Sequence, residues 1–270
     1  MKRLKVVVTG GSSGIGLATA EAYVARGADV AIVARDPEKL ETARMTLEAA
    51  RLDASQRILT ASADLSNFSQ AKAVIDRLAD DDMVPDILVN SAGVILPGEF
   101  ESMPVEHLTR NMECGFFSVM WPCRAAVPHM VARGSGHIVN VSSVAGFLGI
   151  YGYTGYAAAK YAVMGFTEAL RFEMKPSGVN VHVVCPPDTD TPALAAERTM
   201  RPRETDVIAG NIKAISPERV AGAIVRGVER GRYLIIPDAL SRFYFRLKGV
   251  LPEVFFAIVD ADVRKARRSA

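Results

Sequence analysis

Short apolar segments alternate with helical segments along most of the chain, and this alternation constrains the fold more than any other feature. Six segments rich in β-branched residues are predicted strands: 4–10, 29–35, 57–63, 85–93, 136–143 and 179–186. Helical spacing lies between them, at 14–28, from Asp36 to about 51, from about 67, at about 104–133 and around Tyr156 and Lys160. Strands that are apolar on both faces and alternate with helices predict a parallel sheet with helices on both sides. We therefore expect one doubly wound α/β domain.

Charge balance and cysteine pattern exclude several classes of function. With 32 Lys and Arg against 30 Asp and Glu, the chain lacks the basic surface that duplex nucleic acid requires, so nucleic acid is not an expected partner. Cys114, Cys123 and Cys185 are scattered, without the close pairing of a zinc site or disulfide framework, so we expect no metal and a reducing, cytoplasmic compartment. No apolar run approaches the roughly 20 residues of a membrane span.

A glycine-rich turn, TGGSSGIG at residues 9–16, follows the first strand directly and opens the first helix. Backbone N–H groups at a helix N-terminus can bind a pyrophosphate where glycines let it approach. A tight strand-to-helix turn also needs glycine without any ligand. Its position after the first strand of a βαβ unit favours a dinucleotide site of the Rossmann type.

The end of the second strand indicates which dinucleotide is bound. NAD sites of this fold place an acidic residue here to contact the adenosine ribose, whereas this chain has Ala34 and Arg35. The planar guanidinium of an arginine can pair with a 2′-phosphate, so Arg35 favours NADPH. The alternative is a solvated arginine before the helix cap formed by Asp36 and Pro37.

Tyr156 and Lys160 lie four residues apart on a predicted helix and therefore share a face. A free phenol has a pKa of about 10, and a nearby ammonium lowers it, which makes a tyrosine a usable acid or base near neutral pH. Ser143, at the end of the preceding strand, could donate to a ketone oxygen as negative charge develops on it. A chance pair on an amphipathic helix is the alternative for the tyrosine and lysine taken alone.

Five motifs in order resemble the short-chain dehydrogenase/reductase family over nearly the whole chain: TGGSSGIG, NSAG at 90–93, the Ser143 to Tyr156 spacing, YAAAK, and a proline turn after the sixth strand. The resemblance implies that Ser143, Tyr156 and Lys160 are catalytic, with Lys160 also binding the nicotinamide ribose. The expected NADPH site comprises Gly10, Ser12, Ser13, Gly14, Ile15, Gly16, Arg35, Asp64, Leu65, Asn90, Ala92, Gly93, Tyr156, Lys160, Pro186, Thr189 and Thr191.

One position departs from the family pattern. An asparagine on the long helix, which in the family helps to hold a water in the proton relay to the lysine, is replaced by Gly115. Asn111 or a second water could substitute, or the relay is altered. Glycine inside a helix costs about 1 kcal/mol relative to alanine, so we expect that a neighbour needs the space.

The segments CPPDTDTPALAAE (185–197) and VARDPEKL (33–40) resemble those of 3-ketodihydrosphingosine reductases, which use NADPH to reduce a long-chain 2-amino-3-keto alcohol. Asp188 or Asp190 could pair with the ammonium of such a substrate, or the two aspartates hold the turn through local hydrogen bonds. Reduction of a 3-oxoacyl thioester is the nearest rival function. A non-catalytic NADP-binding regulator is a more distant one.

We therefore expect a reductase domain at 1–238, with a substrate loop at about 186–212, and a C-terminal extension of the same domain at 239–270. The extension combines aromatics with seven basic and three acidic side chains. It can lie peripherally in a membrane interface, or form an oligomer contact followed by a solvated end. A homo-oligomer, dimer or tetramer, is also expected.

Overall fold

A single parallel sheet organises the molecule. In the computed structural model, which describes residues 3–209 and 213–268, seven strands form this sheet in the order β3-β2-β1-β4-β5-β6-β7. The strands are β1 Lys5–Thr9, β2 Asp29–Ala34, β3 Ile58–Ser62, β4 Ile87–Asn90, β5 Gly136–Val141, β6 Val179–Val184 and β7 Leu234–Ile235. The prediction of a doubly wound parallel sheet is confirmed, with β7 as an additional edge strand.

Helices cover both faces of this sheet. They are α1 Gly14–Val24, α2 Pro37–Ala49, α3 Phe68–Asp80, α4 Val105–Met112, α5 Ser118–Arg133, α6 Thr154–Met174, α7 Pro192–Arg198, α8 Arg203–Ala209, α9 Pro217–Glu229, α10 Ala239–Val250 and α11 Pro252–Arg268. The predicted long helix near 104–133 is divided into α4 and α5 by a π-helical turn at Glu113–Phe117. Such turns occur frequently at functional sites.

The first strand shows why the strands are apolar on both faces. Val6 and Val8 pack with α1 and α9, whereas Val7 points to the opposite face and packs with α3 and α5. All three side chains are fully buried. Because successive side chains of a strand point to opposite faces, a sheet covered on both sides requires an uninterrupted apolar run, which VVV supplies.

The helix after β2 begins as the sequence predicts. The Asp36 side chain accepts hydrogen bonds from the backbone N–H groups of Glu38 and Lys39, and Pro37 occupies the first helical position. The cap fixes the direction in which the chain leaves β2. It leaves Arg35 at the carboxyl end of the sheet, where ligands of this fold bind.

The C-terminal extension packs onto the rest of the chain. Helix α11 contacts both α10 and α8. Phe255 of α11 is buried in a cluster with Phe147, Leu148 and Val183. Among the residues that the structure describes, no helix is long and apolar enough to cross a bilayer.

Candidate active site

Ser143 and Tyr156 meet at the carboxyl end of the sheet. Ser143 follows β5, its hydroxyl accepts a hydrogen bond from the Ala145 N–H at 3.1 Å, and its side chain acts to lower the pKa of the neighbouring Tyr156 phenol. The neighbouring Ser142 instead donates to the Lys160 carbonyl at 2.9 Å and is buried. Ser143 is therefore the serine whose hydroxyl acts together with Tyr156.

Burial keeps the Tyr156 phenol protonated. Tyr156 is 7% exposed, and burial raises its pKa to about 12, assisted by the charges of Asp188 and Glu197 and opposed by the hydrogen bond to Ser143. The expected net lowering of this pKa beside Lys160 is wrong for this structure, because desolvation dominates and the Lys160 Nζ lies 5.8 Å from the ring centroid. Tyr156 thus keeps its phenolic proton over the physiological pH range.

Lys160 is buried and directed at backbone carbonyls. Its Nζ donates to the carbonyl of Val141 at 3.1 Å and to that of Gly115 at 3.5 Å. Burial lowers the pKa of Lys160 to about 8. A Cβ placed on Gly93 would lie 3.6 Å from the same Nζ, so the ammonium also borders the NSAG turn.

The structure explains the glycine at position 115. A Cβ there would lie 2.9 Å from the Cβ of Ala159, so packing of the π-helical turn against α6 requires glycine. Asn111 does not substitute for the family asparagine, because its amide accepts from the Leu96 N–H at 3.2 Å and donates to the Leu96 carbonyl at 2.9 Å. Gly115 instead accepts a hydrogen bond from Lys160 through its own backbone carbonyl.

Two cavities of about 310 Å³ each adjoin at the glycine-rich turn. The substrate cavity contains Ser143, Tyr156 and Lys160, with Pro186 and Thr189 also in its wall. The nucleotide cavity is lined by many of the expected cofactor residues: Gly10, Ser12, Ser13, Gly14, Ile15, Arg35, Asp64, Leu65, Ala92, Gly93 and Thr191. Six residues line both cavities: Ile15, Ser91, Gly93, Val94, Thr191 and Ala193. A ligand in the nucleotide cavity can therefore reach Tyr156.

The nucleotide cavity fits a dinucleotide. Gly10 adopts φ +66°, and a Cβ there would lie 2.7 Å from the Ala92 nitrogen, so the turn closes on the NSAG segment only with glycine. The α1 N-terminus has no side-chain cap, since Ser13 makes no capping hydrogen bond. Its first N–H groups are thus available to a pyrophosphate.

Basic side chains lie at the far end of the nucleotide cavity. Arg35 and Lys39 line it together with Asp64. Burial alone raises the pKa of Asp64, but hydrogen bonds from Ser66 and the charges of Arg35 and Arg110 outweigh burial and lower it. Sequence reasoning missed Lys39, although its position four residues after Arg35 was a usable signal.

Two expected cofactor residues line neither cavity. Gly16 packs against the turn itself, where a Cβ would lie 2.2 Å from the Gly10 carbonyl oxygen. The Asn90 amide points into the core and donates to Asn140 at 2.9 Å and to the Cys123 sulfur at 3.1 Å. Neither residue lines the nucleotide cavity in this structure, and the expected cofactor contact of each stays a prediction.

A buried ionic network anchors the substrate loop. Glu197 on α7 is fully buried, accepts from the Tyr153 hydroxyl at 2.6 Å and pairs with Arg201 at 2.8 Å. Arg201 also binds Asp188 at 3.1 Å. Tyr153 contacts Tyr156 edge to face, with ring centroids 5.7 Å apart. The network therefore joins the loop to Tyr156, a connection that sequence spacing did not indicate.

The two loop aspartates differ in position. Asp188 lines the substrate cavity, and its charge acts on the pKa of Tyr156. Asp190 is exposed and outside the lining of both cavities, so of the two aspartates Asp188 is the one placed to meet a ligand there, and a substrate contact of Asp190 stays a prediction. Residues 210–212 of the expected substrate loop lie outside the described residues.

Part of the wall of the substrate cavity is apolar. Leu148 and five residues of the C-terminal helices line it: Leu240, Tyr244, Phe255, Ile258 and Val259. Sequence reasoning missed this wall, although Phe255 and Val259 are spaced as one helix face. The acidic side chains of Asp238 and Asp262 also border the cavity.

Comparisons with known proteins cover most of the chain. A family profile described as short chain dehydrogenase matches residues 4–202. A 3-dehydrosphinganine reductase of Danio rerio is 40% identical over 229 residues, which are 84% of this chain and 69% of that protein. A 3-ketodihydrosphingosine reductase of Bos taurus is 41% identical with the same coverage. A short-chain dehydrogenase from Sphingobium yanoikuyae in complex with NADPH has a TM-score of 0.78 at 28% identity, covering 93% of this chain and 94% of that one.

Proposed function

We propose that this chain, which belongs to the short-chain dehydrogenase/reductase family of oxidoreductases, uses NADPH to reduce the ketone of 3-ketodihydrosphingosine to the alcohol of dihydrosphingosine. One observation carries the proposal. A single cavity has Ser143, Tyr156 and Lys160 in its wall and continues into an apolar wall of C-terminal helices. A polar ketone head and a long alkyl tail fit the two ends of such a cavity.

The catalytic residues divide the proton chemistry between them. Bound NADPH would supply the hydride for the ketone carbon. Ser143 donates a hydrogen bond to the ketone oxygen, and Tyr156 transfers its phenolic proton to that oxygen. An alkoxide is more basic than a phenolate, so a tyrosine whose pKa is about 12 still gives up its proton readily. Lys160, within 5.8 Å of the ring, stabilises the phenolate that remains.

The substrate ammonium has a partner near the reacting carbonyl. Asp188 lies in the cavity wall with its side chain 28% exposed, and a carboxylate bound to Arg201 retains capacity to accept further hydrogen bonds. We assign Asp188 to the 2-amino group. The low dielectric of a closed cavity strengthens this ion pair.

Arg35 and Lys39 support NADPH as the reductant. Both line the nucleotide cavity close to Asp64, where the adenosine end of a dinucleotide would lie. Two positive charges favour a 2′-phosphate over a free hydroxyl. The relatives named as 3-ketodihydrosphingosine reductases, about 40% identical, support the choice of substrate.

The test compares three reactions of purified protein by the loss of reduced-nicotinamide absorbance. With 3-ketodihydrosphingosine we expect rapid oxidation of NADPH and much slower oxidation of NADH. With an acetoacetyl thioester and NADPH we expect little turnover. Turnover with the thioester and none with the amino ketone would overturn the assignment of substrate while keeping the Tyr156 chemistry.

A further inference from the structure

The substrate cavity opens between the two C-terminal helices. Leu240 of α10 and Ile258 of α11 both line the cavity and are 47% and 43% exposed. They therefore mark its mouth. Behind them, Tyr244 and Phe255 line the cavity and pack edge to face, with centroids 6.3 Å apart. The route from the surface to the catalytic residues begins on an apolar surface.

That surface is larger than the mouth itself. Leu240, Phe243, Leu247 and Val250 follow at intervals of three or four residues and so share one face of α10. Phe243 is 57% exposed and Val250 is 76% exposed. The next exposed apolar residues are Leu251, Val254, Phe256 and Ile258, on the connection and on α11. We call Leu240, Phe243, Val250, Val254 and Ile258 the hairpin face.

Positive charge accompanies the hairpin face. Arg242 and Arg246 are exposed on α10, and residues 239–268 contain seven basic against three acidic side chains. Lys248 is engaged within the protein, because it donates to the Phe147 carbonyl at 2.7 Å and to the Tyr161 hydroxyl at 2.6 Å. Exposed apolar side chains beside arginines fit the interface of an anionic bilayer. A second copy of the same basic hairpin would be repelled.

We propose that the hairpin face inserts into the interface of an anionic lipid bilayer and that the substrate's alkyl chain passes from the lipid into the cavity between Leu240 and Ile258. The choice of substrate rests on the proposed function, whereas bilayer binding rests on the hairpin alone.

Sedimentation with vesicles tests bilayer binding without substrate or NADPH, so its outcome is independent of the proposed function. The probe is phosphatidylcholine mixed with roughly a third phosphatidylglycerol, compared with phosphatidylcholine alone. We expect the protein to prefer the mixed vesicles. Phe243→Ser with Val250→Ser should lower the partition coefficient by at least about tenfold. Arg242→Gln with Arg246→Gln should remove the preference for anionic lipid.

The matched control is Met45→Ser with Leu52→Ser, which alters two exposed apolar residues outside the hairpin, 63% and 67% exposed. This control should bind vesicles as the unmodified protein does. Absence of binding to mixed vesicles at low ionic strength would overturn the proposal. An equal loss of vesicle binding in the control, or unchanged vesicle binding by the Phe243 and Val250 variant, would also overturn it. A third contrary result would be a dimer of the unmodified protein that the Phe243 and Val250 substitutions dissociate, with no vesicle binding by either protein.

Entry of the substrate from the lipid is tested separately, by measuring KM. The Phe243 and Val250 variant should show a raised KM for substrate delivered in mixed vesicles, with little change for a water-soluble short-chain ketone. Thermal unfolding identical to the unmodified protein verifies that the hairpin is folded. An equal rise in KM for both substrates would contradict entry from the lipid.

Discussion

The two adjoining cavities are built in different ways. The nucleotide cavity is shaped by backbone, with Gly10 and Gly14 at positive φ and strand ends that bring Arg35 and Asp64 together. The substrate cavity is shaped by side chains from distant segments, such as Leu148 and Phe255, and by the buried pair of Glu197 and Arg201. A site shaped by backbone suits a cofactor that stays the same. A site shaped by side chains can be altered by substitution to accept another substrate, without changing the cofactor site.

The largest effect should come from Tyr156 in the substrate cavity. Tyr156→Phe removes the proton donor and should lower turnover by about 10²–10⁴-fold, because general acid catalysis contributes about that much. Binding of NADPH, followed by its fluorescence, should persist. Retention of more than a tenth of the turnover would show that the proton comes from elsewhere. Loss of NADPH binding would instead show that the two cavities are not separable.

The buried ion network should matter for stability. Glu197→Ala removes one partner of Arg201, whose side chain is 3% exposed. Because Asp188 and Asp206 still pair with Arg201, we expect a loss of about 3 kcal/mol, the lower end of the cost of breaking a buried pair. Urea denaturation measures the loss. The control Glu41→Ala breaks a surface pair with Arg44 and should change stability little. Similar midpoints for both variants would contradict an anchoring role for the network.

Charge at the nucleotide cavity should set cofactor choice. Arg35→Glu should shift the ratio of kcat/KM for NADPH over NADH toward NADH by about 10–100-fold, the worth of one charged hydrogen bond. Arg26→Glu, which alters an exposed arginine bound to the Ala22 carbonyl, is the matched control and should leave the ratio unchanged. An unchanged ratio in Arg35→Glu would assign the 2′-phosphate to another residue.

Titration of Lys160 should appear as a pH dependence of stability. Its pKa is about 8 in the folded protein and about 10.4 in an unfolded chain, so the unfolded state binds more protons between these values. Stability therefore gains on the order of 1–3 kcal/mol from this group as pH rises from about 8 to 10.4. Lys160→Met should lack that gain. If the free energy of unfolding changed with pH in the same way in both proteins, the lowered pKa of Lys160 would be contradicted.

The sequence predicted the nucleotide side better than the substrate side for a physical reason. Family and fold were predicted correctly, because glycine positions and strand ends are local features. Asn90 ends β4 beside the NSAG turn, but the motif does not show that its amide points into the core, toward Asn140 and Cys123. The raised pKa of Tyr156 depends on its burial and on Asp188 and Glu197, which lie 32 and 41 residues away in the sequence.

The lining of the substrate cavity was even harder to predict from the sequence. Tyr153 and Glu197 are 44 residues apart, and their hydrogen bond exists only because α7 folds over the start of α6. The lining from Leu240 to Val259 depends on how two helices pack over β6. Spacing predicts a helix face, but not the element that it contacts.

Product analysis with labelled cofactor tests the central claim most directly. Purified protein is mixed with 3-ketodihydrosphingosine and NADPH that carries deuterium at the transferred position of nicotinamide C4, and the lipid product is examined by mass spectrometry. The account predicts dihydrosphingosine with one deuterium at C3, and almost none from Tyr156→Phe. Unlabelled or absent dihydrosphingosine, while NADPH is oxidised with a different ketone, would contradict it.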